Sequence, residues 1–368
     1  MILEFVEFIT EDITGRTPHP EDAIFNGSAA AAQALKGLNG AIAAASQITI
    51  KWDGSPALIF GRTPEGRLAV MDKYMFDAGF LAQSPEDWQR YDQQKSTGKL
   101  RPDLYQRLAT IWAGLDAAVA GPGFYWGDLM YAGRPPVQAG KFVFQPVTVQ
   151  YRVPTTSELG RIIGQSVGGI VVHQQFSELG GAPSKWNGKG LQNVKGGVAI
   201  IKPDMGIKFK LKEPVGLSKA ANAAVTKYGA AVDDLMATIP QSTRDRIKTY
   251  FNKRITGQTQ EDLHTWLKAN TSAKQYQALA GDDFSGSLFA TDASGQITES
   301  LGYAGLKAIW NSIYAYKVNL SQQLDAQVKG LEQYVGNTPG GEGFVFPTPA
   351  GLVKIVNRGQ FGAAHFNK

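Results

Sequence analysis

The chain contains no cysteine and only four histidines. The first absence excludes a disulfide framework, a thiolate metal site and a cysteine nucleophile, and it suits a reducing compartment. The histidines, His19, His173, His264 and His365, show no metal-ligand spacing. Long apolar runs are also missing: no stretch of about 18 apolar residues occurs. The N-terminal MILEFVEFITED carries Glu4 and Glu7 inside its apolar stretch, which disqualifies it as a signal peptide. The expectation is a soluble, cytoplasmic protein. Charge of one sign is only modestly in excess, 37 Lys and Arg against 32 Asp and Glu, a net +5 that favours polyanionic partners. What the chain has in quantity is apolar side chains, 43% of 368 residues. That excludes disorder and is more than one small core needs.

Short runs of Thr, Val, Ile and Phe separated by turn residues predict a strand-rich body through residue 212. SQITIKWDGSPALIFGR, the turn TPEG and RLAVMDKYMF read as three strands of a meander. GPGFYWGDLMY, FVFQPVTVQYRV, VGGIVVHQQF and GVAIIKPDMGIKFKLK read as more. A helix beginning with Ser28 as its cap is expected before them. After Pro214 the apolar residues recur every three or four positions, predicting helices over 215–336, and EGFVFPTPAGLVKIVNR then returns to strand character. The chain therefore reads as an α+β domain, 1–214 and 337–368, interrupted by a helical insertion at 215–336.

Lys51-Trp52-Asp53-Gly54 stands between two predicted strands. Trp126-Gly127-Asp128-Leu129, Glu342-Gly343-Phe344-Val345-Phe346 and Leu352-Val353-Lys354-Ile355-Val356 follow it in that order. The series resembles the motifs of the covalent nucleotidyltransferase superfamily, the polynucleotide ligases and capping enzymes. The resemblance spans the strand-rich body and says nothing of the helices. It implies an antiparallel-sheet, ATP-grasp-like ligase domain. Only fourteen residues follow Lys354, so the C-terminal OB-fold of nick-sealing and capping enzymes is not expected. That leaves the RNA-ligase-like branch, of phage type, acting in a host cytoplasm.

The same resemblance implies roles. Lys51 is the nucleophile that takes AMP from ATP, since a lysine amine brought to act as a free base can attack phosphorus. Asp53 fixes the loop and Ile50 packs on the base. Asp128 stands where the family usually has a glutamate that bonds the ribose or a metal-bound water. Tyr151 stacks on the purine, with Phe144 as its rival, and Lys73 contacts phosphate. Glu342 organises Mg²⁺, because a hard cation bridging phosphate oxygens needs a carboxylate. Lys354 faces the α-phosphate, but the family's second lysine of that motif is replaced by Val356. Gly168–Val172 with Lys208 and Lys210 mimics the last two motifs and has both lysines, but no glutamate. Their other reading is a basic strand edge. The implied function is joining 5′-phosphate and 3′-hydroxyl ends of single-stranded RNA or DNA by a monomer. The alternative is a degenerate relative that binds nucleotide or nucleic acid without catalysis. Arg244, Arg246, Lys248, Lys253 and Arg254, interleaved with Tyr250 and Phe251, form a composition suited to strand binding.

Overall fold

The computed structural model describes residues 19–95, 99–178, 181–271, 288–348 and 351–366. Glu4 and Glu7 lie outside them. The strands are β1 (Thr49–Ile50), β2 (Ala57–Arg62), β3 (Leu68–Met71), β4 (Gly123–Ala132), β5 (Val137–Gln138), β6 (Lys141–Phe144), β7 (Val149–Pro154), β8 (Gly168–Phe176), β9 (Ser184–Lys185), β10 (Val198–Ile201), β11 (Phe289–Thr291), β12 (Ile297–Glu299), β13 (Glu332–Val335), β14 (Thr338–Pro339), β15 (Phe344–Thr348) and β16 (Gly351–Ile355). The helices are α1 (Ser28–Ala43), α2 (Lys73–Asp77), α3 (Pro85–Gln94), α4 (Pro102–Ala118), α5 (Glu158–Gly164), α6 (Val215–Thr238), α7 (Gln241–Ile255), α8 (Leu263–Asn270), α9 (Leu301–Asp325) and α10 (Arg358–Phe366). This is an α+β chain that divides into two units. One holds Thr49–Ile207 and Val328–Glu342; the other holds the described residues before Thr49, then Lys208–Gln327 and the residues from Gly343 on.

The first unit contains two sheets. In one the order is β10-β8-β4-β2-β3, with β9 on β8; β10 runs parallel to β8 and the other pairs are antiparallel. In the other the order is β14-β13-β7-β6-β5, all antiparallel. β2 and β4 are buried along most of their length and put Leu58, Ile59, Phe60, Phe124, Tyr125 and Leu129 into a core shared with Leu108, Ile111 and Leu115 of α4. Trp88 of α3 is fully buried in that core, and its indole N–H donates to the Val70 carbonyl at 2.8 Å. The expected third strand stops at Met71. Asp72 caps α2 by accepting the Met75 amide at 2.9 Å, so the KYMFD segment leaves the sheet as a helix.

The second unit is helical around a charged centre. The side chains of Glu21 and Lys317 are fully buried and meet at 2.5 Å. Arg358 lies 3.1 Å from Glu21 and 3.0 Å from Asp22, Lys248 lies 3.3 Å from Asp22, and the Trp310 indole donates to Asp22 at 3.1 Å. Burial lowers the pKa of Lys317 against the opposing pull of Glu21. His19 beside them has a buried Nδ1 without a hydrogen-bond partner. Burial first, and then the charges of Lys317, Arg358, Lys354 and Lys248, push its pKa far down, so the ring stays neutral. Helices α6 and α9 run antiparallel and approach closely at glycine. A Cβ on Gly305 would stand 2.7 Å from that of Tyr228, and one on Gly302 would stand 2.9 Å from the Ala231 carbonyl oxygen.

The structure departs from four expectations. The helical segment is not an insertion standing by itself, because α1 and the β15–β16 hairpin pack with it. Gly37 of α1 meets Val353, and the Ser28 amide and hydroxyl both donate to Asp233 at 2.6 Å. Ser28 is accordingly the first helical residue, with Gly27 as the cap. Residues 332–335, expected as helix, form β13 because they pair with β7 in the first unit. Lys208 and Lys210 are not on a strand edge: the Gln327 side chain bonds both the amide and the carbonyl of Lys210, and Gln323 does the same for Lys212. The side-chain amides of Gln323 in α9 and Gln327 just beyond it thus take the hydrogen bonds a neighbouring strand would have taken. Among the described residues, no helix is long and apolar enough to cross a membrane.

Removing one member of a buried ion pair leaves the other charge uncompensated. Glu21→Gln should therefore destabilise the protein by about 3–5 kcal/mol, and Glu21→Gln with Lys317→Met should recover much of that loss in denaturant titrations. His19 gives a pH dependence of definite sign. Below its ordinary value of 6.5 the unfolded chain protonates this ring and the folded chain does not, so stability falls with falling pH by up to about 1.4 kcal/mol per unit. His19→Gln should show a smaller drop than wild type between pH 7.5 and pH 5 in urea titrations.

Candidate active site

Everything at the site turns on the chain from Lys51 to Ser55. Asp53 accepts the amides of Thr148 and Val149 through one oxygen, at 2.6 and 2.9 Å, and its own amide donates to the Tyr151 hydroxyl at 2.6 Å. Trp52 stacks on Tyr151 with ring centres 5.0 Å apart and donates its indole N–H to the Pro203 carbonyl at 3.1 Å. The Ser55 amide donates to Leu129 at 3.0 Å, and Arg107 caps the Ser55 carbonyl at 2.7 Å. Gly54 lies flat on β4: a Cβ there would stand 2.4 Å from the Cβ of Asp128 and 2.8 Å from the Met130 sulfur. Only glycine fits this crossing.

Lys51 then extends from a backbone held on both flanks. Its Nζ bonds the carboxylate of Glu342, 291 residues away in sequence. The lysine side chain is 31% exposed and the glutamate 19%. This pair is open to solvent yet shielded enough for charge to matter. Asp128 bonds the Nε2 of His173 at 3.1 Å, a partner that the sequence reading did not find. His173 directly follows the Gly168–Val172 run, which is now seen as the interior of β8 pairing with β4. A cleft of about 160 Å³ takes in His173, Thr49, Lys185, Trp186, Lys202 and Asp204. These two lysines and the tryptophan were also missed. They sit in irregular segments or a two-residue strand where no period marks them.

The remaining expected residues fall elsewhere. Tyr151 is fully buried, with Trp52 on one side and Phe144 at 5.5 Å, and burial raises the pKa of its hydroxyl. It is a core and loop-holding residue with no free face for a purine. Phe144, 6% exposed between Tyr151 and Tyr131, has none either. Ile50 is 1% exposed, and its amide donates to the Pro203 carbonyl at 3.0 Å. Lys73 opens α2 and is not a strand residue. Lys354 belongs to the second unit, on β16 opposite Val345, and Val356 just beyond is buried. A lysine could not replace Val356 without burying its charge.

The basic segment of α7 is spent on its own unit. Arg244 donates to the carbonyls of Met236 and Phe25, Lys248 pairs with Asp22, Arg246 reaches the Asn270 carbonyl, and Arg254 donates to the Tyr250 hydroxyl. Lys253 lies over the Trp266 ring at 5.5 Å. Five cations in a row do not form an open strip.

The site is thus a lysine and a glutamate joined side chain to side chain in an α+β chain. Residues 17–368 match the model described as "Family of unknown function (DUF6267)", and the chain belongs to that family. No curated protein and no solved structure matches it.

The contact of Gly54 with Asp128 predicts that Gly54→Ala costs about 2–3 kcal/mol by overpacking. Gly216, in α6 with nothing within 4 Å of an added Cβ, should accept alanine with no loss or a gain of about 0.5–1 kcal/mol. Denaturant midpoints of the two variants test the comparison.

Proposed function

We propose that this protein is an ATP-dependent polynucleotide ligase whose catalytic domain has the nucleotidyltransferase fold. The observation that carries the reading is the Lys51–Glu342 pair: two residues singled out by separate motifs, one as nucleophile and one as metal-organising carboxylate, are bonded side chain to side chain. In the first step the Lys51 amine, having given up a proton, attacks the α-phosphorus of ATP. An N–P bond forms, the P–O bond to pyrophosphate breaks, and the electron pair leaves with pyrophosphate. Next, a 5′-phosphate oxygen displaces the lysine from AMP, and Lys51 regains its proton. Finally a 3′-hydroxyl attacks the activated 5′-phosphorus and AMP leaves.

Glu342 adjoins the attacking nitrogen and can hold the proton that Lys51 gives up. Asp53 and its two amide donors keep the lysine from swinging away, and Asp128 is oriented by His173. Lys185 and Lys202 supply positive charge in the cleft and Trp186 an aromatic surface. Among the described residues no group of three or more His, Asp or Glu could hold a metal by itself. Asp53 and Asp128 are already engaged. One protein carboxylate, with phosphate oxygens and waters completing the shell, is nonetheless a usual arrangement for Mg²⁺. Glu342 would hold it, and the ion would neutralise charge on the phosphates.

A degenerate, non-catalytic nucleotide binder is the second reading. It is favoured by the burial of Tyr151, which removes the expected base-stacking face, and by Val356. The two readings part on one measurement. Incubated with Mg²⁺ and ATP labelled at the α-phosphate, the protein should gain label at Lys51, and ATP labelled at the γ-phosphate should leave it unlabelled. Lys51→Ala should abolish labelling, and Glu342→Ala should slow it by about 10²-fold. Wild type that stays unlabelled across pH and metal, with no nucleotide already attached by mass spectrometry, would overturn the ligase in favour of the binder.

A further inference from the structure

His173 donates its Nε2–H to Asp128 at 3.1 Å, because a carboxylate only accepts. In a neutral ring the other nitrogen, Nδ1, then carries a free lone pair. Nδ1 bonds no described residue, and the side chain is 32% exposed, so the ring is accessible where those of Tyr151 and Phe144 are not. The cleft that takes in His173 also takes in Thr49 and Pro203, and both tie it to the turn after Lys51. The Pro203 carbonyl accepts the Ile50 amide and the Trp52 indole N–H. Burial alternates along this stretch: Ile50 and Trp52 are buried, Thr49 and Lys51 half-buried, which puts Thr49 and Lys51 on one face of the chain. Asp128 in turn packs against Gly54, three residues beyond Lys51. Lys185 and Lys202 are exposed in the same cleft and pair with no described carboxylate, while Asp204 accepts the Gly206 amide at 2.8 Å.

An imidazole held by a carboxylate, with its bare nitrogen open to a cleft, has the arrangement of a general base. The ring takes a proton at Nδ1, and the carboxylate stabilises the imidazolium that forms. We propose that His173 is a catalytic base that accepts the proton of a hydroxyl nucleophile entering this cleft. That the hydroxyl is the 3′ end of a polynucleotide rests on the ligase reading, and Lys185 and Lys202 suit the phosphates that such an end brings with it. In the joining step the 3′-oxygen forms its bond to the activated 5′-phosphorus while its proton passes to Nδ1. The P–O bond to AMP breaks, the electron pair leaves with AMP, and the imidazolium returns the proton to water.

The test is joining of a 5′-adenylylated donor strand to an acceptor with a 3′-hydroxyl, with Mg²⁺ and without ATP, so that the last step alone is read. His173→Ala should slow joining by about 10²-fold. Its loss in joining should exceed its loss in Lys51 labelling by at least about tenfold. Added imidazole should restore much of the rate, whereas pyrazole, a ring of the same size and far weaker basicity, should not. Asp128→Asn should also slow joining, because its amide can donate to Nε2 and so favour the wrong tautomer. If the alanine variant does not fold, His173→Gln, which can still donate to Asp128, makes the same comparison of joining with labelling. Undiminished joining by the His173 variant, a loss no greater than that in labelling, or rescue by imidazole no better than by pyrazole would overturn the assignment while the ligase reading stands. Wild type that joins nothing would overturn the ligase reading, and the assignment with it.

Discussion

The constraint on which the first unit depends is the carboxylate of Asp53. Two backbone amides, those of Thr148 and Val149, point at one of its oxygens, and the Tyr151 hydroxyl takes the amide of the same residue. These partners enter or belong to β7, in the β14-β13-β7-β6-β5 sheet. The next residues, Gly54 and Ser55, are pressed on Asp128 and Leu129 of β4, in the other sheet. One short turn therefore stitches the two sheets together, and any change in their spacing would have to break charge-assisted hydrogen bonds. Lys51 inherits that rigidity. The turn that binds the sheets directly follows the lysine, so its backbone is fixed with them.

In the second unit a different solution serves the same end. Glu21, Asp22, Lys317 and Arg358 come from a 3₁₀ turn near the start of the described chain, from α9 and from α10, and they bury their charges on one another. Burying ions is expensive unless every partner is present, so such a centre contributes less to net stability than to having a single arrangement. Its consequence extends to Trp310. The indole bonded to Asp22 also lines a cavity between α7 and α9, so a buried electrostatic demand fixes one wall of that cavity.

Much of the site was legible from local chemistry. Lys51-Trp52-Asp53-Gly54 marks a turn after a strand, Asp53 holds the Thr148 and Val149 amides beside that turn, and Glu342, singled out in the sequence as a carboxylate for Mg²⁺, bonds Lys51. The aromatic assignment failed for a physical reason. Tyr151 alternates inward on β7, and a large ring facing a core is indistinguishable in sequence from one facing a ligand until its neighbours are known. The cations of α7 failed similarly: spacing puts them on a helix, but carbonyls, a ring and a carboxylate from other parts of the unit had already claimed them. His173, Trp186 and Lys202 gave no signal because no repeat or turn type singles them out.

By itself the sequence determined the class, α+β with a strand-rich part and a helical part, since alternation and the helical period are local properties of the chain. It also determined the turn at Asp53-Gly54 and the absence of cysteine chemistry. Only the tertiary structure decided that α1 and the last hairpin join the helices, that residues 332–335 leave them to pair with β7, and that the lysine at 51 has the glutamate at 342 as its partner. Those outcomes depend on contacts between residues tens to hundreds of positions apart, and the energy of such contacts comes from shape and burial, which no local pattern encodes.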